Sequence, residues 1–324
     1  MIRLVGVELT RLRWRRAVIL LLLAAVIVPV VIWAVTAWNT RPASDADLAT
    51  ARAELEQPYN QRQLRRCENH PREYGAGGSD DVRAACEAMI MSWTLYREPL
   101  SLSQERRAGS GVAVVVTLTV LMVLAGTTFV GHDWNSGSMS NQLLFEARRG
   151  RIWAAKGLAV FVVGLVVAGL VLTAYWTGLW MLSESRGLDP TDSNVSEAYQ
   201  QALRGTVFVA FAGLGGYALT MFFRSTVATL GVLFGVSLLA PLMLTLIGFN
   251  GYERWLPQSN VAAVINDGAT YWVDEPCSDG PAGIEGTCSE PRRLSLAGGS
   301  AYLGGLLLLA AVPSVVSFRR RDVP

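Results

Sequence analysis

Histidine and lysine are almost missing from this chain. It has two histidines, His70 and His132, and one lysine, Lys156. Charged residues are 17% of its 324 residues, against 51% hydrophobic, too little charge for an ordinary soluble domain. Each scarcity excludes a class of function. Two histidines so far apart cannot join the four cysteines in a zinc-type ligand set. There is no HExxH and no histidine near a nucleophilic serine, so a membrane hydrolase has no constellation to stand on. The GxxxxGK[ST] phosphate loop is also missing, so this chain cannot hold ATP in the P-loop manner. Driven transport, if it occurs, takes its energy from another polypeptide. The net charge of +2 comes from basic residues set beside apolar runs, without the aromatic-interleaved patch of a nucleic-acid binder.

Long apolar runs are what the chain does have. A membrane-spanning helix needs about 20 apolar residues, and six runs qualify: 17–38, 111–131, 152–182, 205–223, 226–249 and 297–317. The expected fold is therefore an all-α polytopic membrane protein with six spans. These runs contain no Asp, Glu or His. A buried ionisable group is the usual mark of a proton-coupled transporter, so that mechanism is disfavoured. Arginines set the orientation. Arg3, Arg11, Arg13, Arg15 and Arg16 precede the first run. Arg148, Arg149, Arg151 and Lys156 lie between the second and third, Arg224 between the fourth and fifth, and Arg319, Arg320 and Arg321 after the sixth. Six spans place all four groups on one side, which the positive-inside rule makes cytoplasmic. Segments 132–151 and 318–324 are then cytoplasmic, and 39–110, 183–204 and 250–296 exterior.

The cysteines agree with this topology. Cys67 and Cys86 fall in the first exterior segment, Cys277 and Cys288 in the third. Four cysteines allow three pairings, and the two local ones are expected, each contributing about 3 kcal/mol in the chain-entropy model. Composition predicts two helices in 39–110, over 45–66 and 80–97, the second with Val82, Cys86, Met89, Ile90 and Trp93 on one face. A bridge between them would staple a helical cap. Segment 250–296 is rich in Gly, Pro and Asp and reads as a loop, anchored at the interface by Tyr252, Trp255 and Leu256. Gly231 and Gly235 form a GxxxG in the fifth span. Residues 1–16 set Leu4, Val7, Leu12 and Trp14 among Glu8, Arg11, Arg15 and the other arginines, which suits a helix lying in the headgroup region.

Segment 132–151 is the most specific. After a turn of small residues (Asn135, Ser136, Gly137, Ser138), Met139, Leu143 and Ala147 recur every four residues with Leu144 beside them. The spacing predicts a short amphipathic helix that ends at Gly150, with Arg148 and Arg149 favouring its C-terminus. Lys156 opens the third span near the surface, where a lysine can snorkel to water.

The leader ELTRLRWRR, the large exterior segment and the stretch GHDWNSGSMSNQLLFEARRGRIWAAK resemble the permease subunit of a type-two ABC exporter. That family couples through an acid, a Gly-Thr or Gly-Ser pair, a short helix, a basic stretch and a lysine. The matching positions are Asp133, Gly137 and Ser138, Met139 to Ala147 (with Leu143 and Glu146), Arg148, Arg149 and Arg151, and Lys156. Asp133 stands where the family often has Glu, and Ala147 stands near the place of its usual proline. The resemblance implies six helices with an amphipathic interface helix and a second permease copy or paired permease. It also implies a cytoplasmic ABC ATPase that holds the ATP and magnesium, so this chain is no enzyme itself. Arg224 would make a second, smaller contact to that ATPase. The cargo would be drug-, antibiotic- or lipid-like, and the excess of arginine over lysine resembles that of actinobacterial membrane proteins. The alternative is a membrane scaffold or signalling subunit with a disulfide-stapled exterior domain.

Overall fold

A computed structural model describes residues 1–74, 81–95, 99–188, 190–276 and 287–321. Six helices are long and apolar enough to cross a membrane, as the hydropathy predicts. They are α2 (Arg16–Asn39), α7 (Ser110–Asn135), α9 (Arg149–Ser185), α10 (Asp192–Phe223), α11 (Thr226–Ile247) and α13 (Leu296–Arg320). A shorter helix, α1 (Ile2–Arg13), precedes them, and the chain leaves helix at Trp14–Arg15 before α2. Contacts divide the chain into two units, the first being Met1–Trp33 with Leu102–Trp180 and Pro190–Pro324.

Within this unit, α10 is longer than the apolar run suggested. It begins at Asp192, whose carboxylate suits the positive end of a helix, so most of the supposed loop 183–204 is helical. Hydropathy marks only the part of a helix that meets lipid, and the polar turns beyond it here bury Ala198, Gln201 and Ala202. Two glycines let α7 and α10 touch at backbone distance. A Cβ on Gly126 would lie 2.5 Å from the Gly213 carbonyl oxygen, and one on Gly216 would lie 2.9 Å from that of Val123. By contrast, the GxxxG pair Gly231 and Gly235 of α11 meets nothing within 4 Å.

Segment 250–296 is not a plain loop. It holds a 3-10 turn (Tyr252–Trp255), α12 (Pro257–Ile265) and an antiparallel hairpin of β1 (Ala269–Pro276) and β2 (Thr287–Leu294), with Ala269 opposite Leu294 and Pro276 opposite Thr287. The all-α expectation is corrected to a mostly helical chain (81%) that carries one two-stranded sheet. The run Thr270-Tyr271-Trp272-Val273 in β1 has the β-branched and aromatic side chains that favour a strand. The expected Cys277–Cys288 bridge ends at Cys277, outside the described residues; no described cysteine is free.

The second unit is Ala34–Ser101 with Met181–Asp189. It contains α3 (Asp45–Leu55), α4 (Pro58–Asn69) and α5 (Val82–Leu95). The single helix expected over 45–66 is split. Pro58 has no N–H to donate to a preceding turn and occupies the first turn of a new helix instead. Ser44 opens α3 with a capping box to Asp47. The Cys67–Cys86 disulfide is present with Cα atoms 5.9 Å apart, joining α4 to α5. Leu64, Cys67, Cys86 and Ile90 form the buried core, while Trp93, placed on that face from spacing, is exposed. Beyond α9, Arg186 donates to the carbonyls of Ala37 and Thr40, unsatisfied groups at the C-terminal end of α2. The small helix α6 (Leu102–Arg107) leads back into the first unit.

Gly126→Leu forces a side chain into backbone that cannot yield. It is expected to destabilise the detergent-solubilised protein by about 1–3 kcal/mol in thermal unfolding, whereas Gly231→Leu, which meets open space, should leave the midpoint unchanged.

Candidate functional site: a buried charge cluster beneath a short helix

The site begins where α7 stops. Gly137 takes a left-handed conformation (φ 66°), which a glycine adopts without steric cost, and it turns the chain into α8 (Ser138–Phe145). The helix ends earlier than the four-residue repeat implied. Glu146 is extended, and its carboxylate accepts the backbone N–H of Arg148 at 3.2 Å. Ala147 is therefore outside α8. Gly150, expected as its stop, lies in the first turn of α9.

Arg148, Arg149 and Arg151 thus sit at or beside the positive end of a helix, an unfavourable place for a cation. Arg149 is satisfied from elsewhere: it donates to the carbonyls of Phe318 (3.4 Å) and Arg321 (2.5 Å) at the C-terminal end of α13. Arg151 lies 3.9 Å from Glu146, and Arg148 is exposed.

Below α8 lies a cluster of five charges. Lys156 is fully buried, not snorkelling, with Nζ 2.8 Å from Glu8 Oε2 and 2.5 Å from Asp133 Oδ2. Its ammonium also faces the Phe129 ring at 5.1 Å. Asp133 is buried in the last turn of α7, which runs past the expected end of the second span, and it accepts from Arg15 as well. Arg11 lies 3.4 Å from Glu8 and 3.9 Å from Asp133, and it donates to Ser138 Oγ at 2.5 Å. Gln142, one turn further along α8, donates to Asp133 (3.4 Å) and Ser138 (3.3 Å).

Three cations and two carboxylates therefore share one site drawn from α1, the α1–α2 link, α7, α8 and α9. Removing charges from water costs several kcal/mol per ion, and only close, multiply bonded geometry offsets it. Here both carboxylates accept from more than one cation, and the lysine donates to both.

The sequence-derived residues separate by where they stand relative to the cluster. Glu8, Arg11, Arg15, Asp133 and Ser138 join the cluster, and Gly137 makes the turn above it. Met139 is buried under α8 and Leu143 half-buried. Arg224, left-handed at the end of α10 (φ 57°), stacks on Trp134 at 4.9 Å, and Trp134 meets Phe318 edge-on at 6.1 Å. Glu146, Arg148, Arg149 and Arg151 stand outside the cluster, at the break between α8 and α9. Trp14 of the N-terminal segment is 76% exposed.

Sequence reasoning missed Gln142, Phe129 and Trp134. The signal available was helical spacing: Ser138 and Gln142, and Phe129 and Asp133, are each four apart and share a face. It also missed the outer face of α8, where Leu144 and Phe145 are 82% and 93% exposed. Among the described residues, no group of three His, Cys, Asp or Glu side chains forms a metal site.

Compared with known protein families, curated proteins and solved structures, the chain matches none.

Lys156→Met leaves Glu8 and Asp133 facing each other without their shared cation. The expected loss is about 3–5 kcal/mol, the range for breaking a buried ion pair from one side, measured as a drop in the unfolding midpoint in detergent.

Proposed function

We propose that the chain is the permease subunit of an ATP-driven ABC exporter and that α8 receives force from a separate cytoplasmic ATPase. The observation that carries this reading is the two-sided character of α8. Its tip leaves Leu144 and Phe145 largely exposed, while Ser138 and Gln142 tie its base to a charge cluster rooted in two spans. A push on the tip would pass through Gln142 and Ser138 to Asp133 on α7, and through Lys156 to α9. The Arg149 bonds would carry the same displacement to α13.

In this reading Asp133, Gly137, Ser138, Met139, Leu143, Glu146, Arg148, Arg149 and Arg151 form the coupling element. Arg224 supports it through Trp134. The N-terminal segment, α1 with Glu8 and Arg11 and the link with Trp14 and Arg15, lies at the headgroup level as an interface element. Both termini are cytoplasmic, and the stapled α3–α5 unit is exterior. The membrane is a bacterial cell membrane. ATP and magnesium belong to the partner ATPase, and a second permease copy or paired permease completes the translocation path. The cargo is drug-, antibiotic- or lipid-like. The disulfide-stapled α4–α5 pair is equally at home in a membrane scaffold or signalling subunit, a reading in which no ATPase binds.

Affinity purification of the intact chain from its own cells in mild detergent separates the two. The exporter reading expects a stoichiometric P-loop ATPase, lost when Leu144→Asp and Phe145→Asp are introduced together while the chain stays folded. Repeated absence of an ATPase from the folded wild-type chain overturns it.

A further inference from the structure

At the opposite end of the spans from the charge cluster lies a second polar site, which the coupling reading does not use. A cavity of about 650 Å³ opens between α6, the first turns of α10, the end of α12 and the base of the hairpin. Four guanidiniums line it: Arg106 on α6, Arg107 at the end of that helix, Arg204 on α10 and Arg293 on β2. Two carboxylates accompany them. Glu197 pairs with Arg106 at 2.5 Å, and Asp267 with Arg204 at 3.3 Å. Among the described residues no carboxylate pairs with Arg107 or Arg293, so the cavity carries positive charge in excess.

The walls are polar and cross-linked by hydrogen bonds. Asp267 is held left-handed (φ 63°), and its carbonyl accepts from Arg293 at 2.7 Å. Gln201, fully buried, donates to the Arg106 carbonyl and to Asn266 Oδ1, both at 2.7 Å, and Asn266 donates to the Arg107 carbonyl at 3.1 Å. Three buried atoms in this framework have no hydrogen-bond partner among the described residues: Nε of Arg106, Nε of Arg204 and Oε1 of Gln201. Arg106 is itself 94% buried, being 6% exposed. Orphaned donors on buried guanidiniums cost free energy unless an acceptor reaches them.

We propose that this cavity binds a phosphate group, carried by a membrane phospholipid or by a soluble phosphate ester. Guanidiniums that converge from two helices and a strand suit a tetrahedral anion, which offers oxygens in several directions, better than a planar carboxylate. Two unpaired positive charges match the one or two negative charges of a phosphate ester. The half-exposed Trp255 and Trp272 on neighbouring elements are side chains suited to the headgroup level, which puts a lipid phosphate within reach. The site needs neither an ATPase nor α8, so it stands or falls apart from the coupling reading.

The test follows the thermal unfolding of the full-length protein in detergent at fixed ionic strength. One arm adds phosphatidylglycerol, a second adds glycerol 3-phosphate, and a third adds inorganic phosphate. The expected result is saturable stabilisation by at least one probe. Arg107→Gln together with Arg293→Gln should weaken it about tenfold, while Arg72→Gln, on the second unit, should leave it unchanged. Neither side chain pairs with a carboxylate among the described residues, and both are exposed, so the fold should survive the substitutions. A response to the lipid alone assigns the headgroup as the source; a response to the soluble ester as well assigns the phosphate chemistry itself. The proposal is overturned if no probe stabilises the folded protein. It is overturned equally if the double variant binds as wild type does, or if sulfate at the same ionic strength acts as strongly.

Discussion

A fully buried ammonium group has to be met by carboxylates at close range, and this requirement organises one whole end of the molecule. Lys156 enters the protein interior on α9, where water cannot reach it. Glu8 and Asp133 must therefore be brought to it, one from α1 and one from the last turn of α7. Once two carboxylates are gathered there, a single lysine does not balance them. Arg11 and Arg15 complete the set, and Arg11 reaches on to Ser138 at the start of α8. The N-terminal helix, two spans and the short helix between them are thus joined by electrostatics in a low-dielectric setting, where each pair is strong but a missing member is severely penalised. Such a junction resists being pulled apart piecemeal. That property would let a force applied to the exposed tip of α8 move helices rather than merely deform a loop.

The sequence disclosed the parts of this arrangement that depend on local chemistry. Six apolar runs, the turn at Gly137, the burial of Met139 and the Cys67–Cys86 bridge all follow from residue type and spacing. What it concealed depends on which segments meet. Lys156 looks like a snorkelling surface lysine unless Glu8 is known to approach it from the far end of the chain. Arg149 looks like a helix C-terminal residue unless the carbonyls of Phe318 and Arg321 are known to be waiting for it. The hairpin was hidden for another reason. Gly, Pro and Asp recur along 250–296 and mask the short β-prone run from Thr270 to Val273. Pro58 was legible in principle, since a proline in the middle of a helical composition marks a boundary.

The two ends of the bundle treat arginine differently. Around Lys156 each of the three cations lies close to one of the two carboxylates, and the apolar tip of α8 is left bare. Around Arg106 four cations meet two carboxylates, and buried donors are left open among the described residues. A closed charge cluster holds structure together; an open one is suited to receiving an anion. The same residue type can serve both ends because a guanidinium keeps its charge in either setting and its five donors allow several partners at once.

The claim that most of this rests on is that Lys156 holds α1, through Glu8, at the junction of α7 and α9 above which α8 begins. Pulsed EPR between nitroxides on cysteines introduced at Thr10, on α1, and Asn141, on α8, measures that distance directly. With wild-type Lys156 the account predicts a single narrow distance distribution, and with Lys156→Met a broad one. An equally narrow distribution in both proteins would contradict it, because α1 would then be held in place without Lys156.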